Sequence, residues 1–188
     1  MSDQLAVRVL LAATILLMAA PAVSLSDDIV DVNCDSLAIG IADRDVFTAG
    51  GVTCRSGRGE QGRIETITAQ GPVFSFIVHL QADGQKDVTP NLQQDFIEWT
   101  SWFQSTKDWS DPWKHGEFEV RQFVGLPREG RSRPASCFVY TRYSGVGSSP
   151  NAYRHQLVGV SCSEIVGKRY EWSDEEIDDL LTSIRHNF

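Results

Sequence analysis

Residues 89–113 read TPNLQQDFIEWTSWFQSTKDWSDPW and hold four of the chain's five tryptophans: Trp99, Trp102, Trp109 and Trp113. The first part of the stretch carries helix signals. Thr89 is a favourable N-cap, and Pro90 suits the first helical position because its missing N–H would have found no partner there. Leu92, Phe96, Trp99 and Phe103 recur at i, i+4, i+7 and i+11, one stripe of a helix, while Gln93, Gln94, Glu98 and Ser101 face away from it. The spacing predicts an amphipathic helix over 89–105, followed by a loop punctuated by Ser110, Asp111, Pro112 and Gly116. The segments on either side read as sheet, so this helix decides the fold class.

Residues 63–69 (RIETITA) and 73–80 (VFSFIVHL) are rich in β-branched and aromatic side chains, and Gln70-Gly71-Pro72 separates them as a turn. Phe74, Phe76, Val78 and Leu80 share one face while Val73 and Ile77 make the other partly apolar, as in a central strand. Asp83-Gly84 is expected to turn the chain into the helix, and residues 117–124 to return as strand. At the far end, Ser173 and Glu176 form a capping box, and Ile177, Leu180, Leu181 and Ile184 recur at helical spacing. The expectation is an α+β fold: a mainly antiparallel sheet of about six to seven strands with two amphipathic helices, 89–105 and 174–186, on one face.

Arg8 precedes an apolar run over 9–20, interrupted only by Thr14, and small residues follow at Ala20, Ala22 and Ser24. A charged start, a short apolar run and a small-residue site describe a secretory signal peptide over 1–22, cleaved after Ala22 or after Ser24. Left uncleaved, the same run would be a single N-terminal anchor. Removal takes Asp3 and Arg8 together, so residues 23–188, expected as one domain, keep the net charge of −8. An acidic chain argues against nucleic acid as the main partner, because that binding relies on Lys and Arg neutralising phosphates.

Export makes the four cysteines readable as two disulfides. Residues 135–143 and 153–162 are strand-like and flank a Gly/Ser/Pro-rich loop. One antiparallel register sets Cys137 against Cys162, Val139 against Val160, Thr141 against Val158 and Tyr140 against Gly159. Directly opposed residues come close enough to bridge. Cys34 and Cys54 are left to pair, closing the segment through a turn near Asp43-Arg44-Asp45.

Candidate sites are few. Trp109 and Trp113 lie four residues apart in a polar loop with Pro112, where no periodicity requires burial; Lys107, Asp108, Asp111 and His115 could supply polar groups beside their indoles. Arg128, Arg131 and Arg133 fall between Pro127 and Pro134 and suit carboxylate or phosphate contacts. Residues 57–62 match G-x-G-x-x-G, but a strand rather than a helix follows, so they read as a connection. The four histidines show no metal-binding spacing, although His79 and His155, both in expected strands, could approach each other. No cofactor is expected. The composite expectation is an exported, periplasmic or secreted, non-enzymatic domain that binds an envelope protein or a glycan. The alternatives are a small envelope-polymer hydrolase using His115 or a carboxylate near the indoles, and a purely structural exported protein.

Overall fold

A computed structural model of the chain describes residues 29–42, 51–59, 62–71, 73–87, 91–128, 133–145, 152–165 and 171–188, with backbone alone at 82–87, Trp99 and Ala152. In chain order the elements are β1 (Val30–Asp31), a 3-10 turn (Cys34–Ser36), β2 (Ile39–Ile41), β3 (Val52–Gly59), β4 (Gly62–Ala69) and β5 (Phe74–Asp87). Helix α1 (Leu92–Thr100) precedes β6 (Phe103–Lys107), β7 (Trp113–His115), β8 (Phe118–Pro127), β9 (Ala135–Ser144) and β10 (Ala152–Glu164). The order closes with α2 (Asp174–Ser183) and β11 (Ile184–His186).

Nine of these strands form one antiparallel sheet in the order β1-β3-β4-β5-β10-β9-β8-β6, with β7 also paired to β8. β11 and β2 form a separate two-stranded ribbon. The protein is therefore mostly β, with two short helices, and the α+β expectation does not hold. The excess of helix was predicted around the tryptophans. Helix α1 ends at Thr100 because Ser101 takes a left-handed conformation, φ 56°. The chain then re-forms as β6, pairing Lys107 with Val124 and Phe103 with Pro127. Phe103 thus belongs to a strand, and its helical spacing from Leu92 is coincidental. The N-cap is Asn91 rather than Thr89, which with Pro90 lies outside the described residues.

The helix expected over 174–186 stops at Ser183, where its last three positions become β11 against β2. No turn forms at Asp83-Gly84, since β5 runs on to Asp87 and irregular pairing opposite Tyr153–His155 absorbs the extra length. Gly57 and Gly59 lie in β3 and Gly62 in β4, with Gly59 opposite Gly62, so the glycine pattern spans paired strands. The Asp43–Asp45 turn lies outside the described residues, as do residues 1–22.

The two helices cover opposite faces of the sheet, not one. Phe138 and Tyr140 of β9 join Ile177, Leu180 and Leu181 of α2 in one core, while Cys137 and Val139 join Phe96 and Ile97 of α1 in the other. Strand alternation sends neighbouring residues to opposite faces, and burying both requires a cover on each. Gln93, expected on the solvent side of α1, is buried and donates from Nε2 to the Glu119 carbonyl at 2.7 Å. The expected hairpin register is reproduced, with Cys137 opposite Cys162 and Tyr140 opposite Gly159. Both disulfides form as paired from spacing, Cys34–Cys54 and Cys137–Cys162. Two disulfides indicate an oxidising, exported setting. Among the described residues no helix is long and apolar enough to cross a membrane.

Candidate functional site

Two features stand out on the α2 face of the sheet, and the ribbon β2–β11 joins them. The first is a buried polar chain. Glu65 of β4 and His79 of β5 are opposed in register and both fully buried, as inward-facing members of strands whose other inward residues are Ile67, Ala69 and Ile77. The His79 Nδ1–H donates to Glu65 Oε2 at 3.1 Å, since a carboxylate accepts. His79 Nε2 lies 3.2 Å from Nδ1 of His155 on β10.

Glu65 also accepts from the Ala38 amide at 3.0 Å and pairs with Arg63 Nη2 at 2.8 Å. Burial alone would push its carboxyl up. The hydrogen bond and charge of His79, the charge of Arg63 and the Ala38 amide together outweigh that and hold it below the ordinary carboxylate range. Burial holds His155 below the ordinary imidazole value, helped by the charges of His79 and Arg154 and opposed by Glu65. The Phe188 ring lies over both imidazoles, 4.4 Å from His79 at an interplanar angle of 3° and 4.8 Å from His155 at 14°.

The second feature is a cavity of about 370 Å3 between the ribbon and the Cys34–Cys54 end of β3. Leu37, Ile39, Ile41, Cys54 and Ile67 supply its apolar wall, and Asp35, Arg185 of β11 and Asn187 just after β11 supply polar groups. Val52, also in its wall, and Val30 of neighbouring β1 are the exposed large aliphatics among the described residues, at 42% and 57%. No serine, threonine, tyrosine, lysine or histidine is among its described walls, and its two cysteines are bridged to each other.

The structure separates the residues that spacing had grouped. Trp109 is half-buried on the α1 face, stacked on Phe123 at 4.5 Å, with the Arg121 guanidinium 4.8 Å from its ring and its Nε1–H donating to Thr106 at 3.0 Å. Trp113, in β7 rather than a loop, pairs with Val120 and packs on the opposite, α2 face. The two indoles do not share a surface. His115 Nε2 meets Asp178 of α2 at 3.0 Å, tying β7 to the helix. Lys107 and Asp111 are exposed, and Asp108 is exposed with a left-handed backbone. Arg128 donates to the Phe103 carbonyl at 3.4 Å, Arg133 lies 3.7 Å from Glu164, and Arg131 is outside the described residues. Among the described residues no group of three His, Cys, Asp or Glu side chains is arranged to hold a metal.

The approach of His79 to His155 was readable from two strands. Glu65 was missed, although a carboxylate on the apolar face of RIETITA is the signal that marks it. Phe188 and the cavity carried no local signal, because both arise where the ribbon meets the sheet. Together these features define a disulfide-braced, mostly β protein with an apolar cleft beside a buried Glu-His-His chain. The chain matches no protein-family model, and no curated protein was found to resemble it.

Proposed function

We propose that this is an exported, periplasmic or secreted domain that acts by binding an apolar group of a cell-envelope protein in the cleft beneath the β2–β11 ribbon. The observation that carries this reading is the roughly 370 Å3 cavity with aliphatic walls and an exposed valine at its rim. Small-molecule and anchor-residue sites have this character: about 300–1,000 Å3, mostly apolar, with a few polar groups that set orientation. Asp35 is the one carboxylate in its described walls and has no serine, free thiol or histidine beside it there, an arrangement that favours binding over hydrolysis. The aliphatic part of the lining suits a protein side chain better than a glycan, which would leave hydroxyls unpaired against Leu37, Ile39, Ile41 and Ile67. In this reading Trp109, Trp113 and the arginines Arg128, Arg131 and Arg133 are outlying contacts.

A fluorescent fatty-acyl probe tests the cleft. Saturable binding of one probe per chain is expected, abolished in Val52→Asp and Ile41→Trp, with the melting temperature of the first unchanged. Non-saturable binding, or binding of equal strength in both variants, would remove the cleft from consideration.

A further inference from the structure

Two facing imidazole nitrogens 3.2 Å apart accommodate one proton between them. Glu65, accepting from Nδ1, fixes the His79 tautomer and leaves Nε2 toward His155. If His79 is neutral, Nε2 accepts from the His155 Nδ1–H; if His79 is charged, it donates to a neutral His155. Both arrangements keep the contact. When both rings are charged, two N–H groups point at each other with no acceptor, and two positive charges meet in a largely buried place.

The contact is joined to the ribbon at two points. The Ala38 amide, one residue before β2, donates to the same Glu65 oxygen that His79 uses. Phe188, two residues after β11, covers both imidazoles, and the Asn187 amide donates to the Ala38 carbonyl at 2.9 Å, tying the two ends together. We infer that the His79–His155 pair is an acid-released latch on the β2–β11 ribbon, closed while the facing nitrogens share one proton and opened when both rings are charged.

The surrounding charges favour this direction. Arg63 and Glu65 face the pair from β4, Arg154 flanks His155 on β10, and Arg142 of β9 lies 5.9 Å from the Phe188 ring. Glu117 neutralises Arg142 at 2.6 Å, and His186 of β11 meets Phe188 edge-on at 5.4 Å. One carboxylate, Glu65, bonds directly to the array, so it balances one imidazolium and not a second. The Phe188 face attracts a cation, but both rings share that one face. The lowered proton affinity of His155 agrees with a second charge being disfavoured while the ribbon is docked. Because Ala38, Ile39, Ile41, Arg185 and Asn187 belong both to the ribbon region and to the cavity wall, release would also remodel the cleft; this consequence rests on the binding reading above.

Amide hydrogen exchange of the full chain tests the latch without reference to any ligand. After correction for intrinsic rates, the Ala38, Ala42 and Asn187 amides are expected to open at least about tenfold more readily at about pH 5 than at about pH 7.5. The β8–β9 amides should not change, and His155→Gln should lose the difference. Imidazole NMR of the unmodified protein provides a second reading, in which the His155 ring takes up its proton over the same pH range as the ribbon opens. Ribbon amides no more acid-sensitive than those of β8–β9 would overturn the latch, as would full sensitivity kept in His155→Gln. An acid-sensitive ribbon in a protein that never binds the acyl probe would support the latch and refute the cleft.

Discussion

Glu65 shows how one residue reaches across the fold: it receives His79, Arg63 and the Ala38 amide, so β4, β5 and the ribbon all converge on one buried carboxylate. Replacing it with Gln removes charge-assisted bonds worth about 1.5–3 kcal/mol each and should destabilise the protein by at least that much in urea titration. The sign of its pH dependence follows from its depressed pKa. The folded state prefers the ionised form, so the stabilisation is present above the ordinary glutamate value, about 4.3, and is lost as pH falls below it. Glu65→Gln should flatten that part of the stability profile. Gly159 is a second single-residue dependence, because an added methyl there would overlap the Tyr140 ring that covers it from β9. Gly159→Ala is expected to cost about 1–3 kcal/mol, the range for overpacking a tight site. A loss below the error of the measurement would show that the ring moves aside freely.

At the level of elements, α2 is held by local and distant contacts together. Ser173 and Glu176 form the capping box, Ser173 Oγ accepting the Glu176 amide at 3.3 Å and the Glu176 carboxylate accepting the Ser173 amide at 2.9 Å. Just before it, buried Trp172 donates from Nε1 to the Ser136 carbonyl at 3.0 Å, which fixes where the helix enters the sheet. Ser173→Ala should cost about 1 kcal/mol, read from the thermal midpoint, with the overall β-rich circular dichroism unchanged. Helix α1 lacks a side-chain cap, and its Asn91 N-cap is left-handed. It is held by burial of Phe96 and Ile97 and by the bond from Gln93. Gln93→Ala therefore leaves the Glu119 carbonyl without this partner and should destabilise the protein more than the Ser173 change does.

For the whole molecule, the disulfides close stretches of 20 and 25 residues, one beside the β3 edge of the sheet and one across its central β9–β10 pair, on opposite faces. Each is worth about 3 kcal/mol on the chain-entropy model, a large share of the roughly 5–15 kcal/mol that a domain retains. Reduction should therefore lower the denaturation midpoint strongly, and Cys137→Ala/Cys162→Ala should reproduce part of the loss. An unchanged midpoint after verified reduction would contradict this. Acid acts on the same global stability. His155, whose folded pKa is depressed, favours the unfolded chain as pH falls below about 6.5 until its folded value is passed, and Glu65 adds its loss lower down. Stability should thus decline in two stages on acidification, and His155→Gln should remove the first.

Alternation and local register were legible in the residues alone. A period of two placed Phe74, Phe76 and Val78 on one face, and spacing across one loop set Cys137 against Cys162, because neighbouring strands obey local geometry. The capping box at Ser173 was legible for the same reason. The segment after Thr100 was not. Phe103 fits the helical stripe as well as it fits a strand, and pairing with β8 decided between them. The assignment of α1 and α2 to opposite faces, the docking of the β2–β11 ribbon, and the meeting of Glu65, His79, His155 and Phe188 were likewise decided only by tertiary structure. Each depends on partners distant in sequence, and no local pattern records which of several apolar surfaces a helix or ribbon will cover.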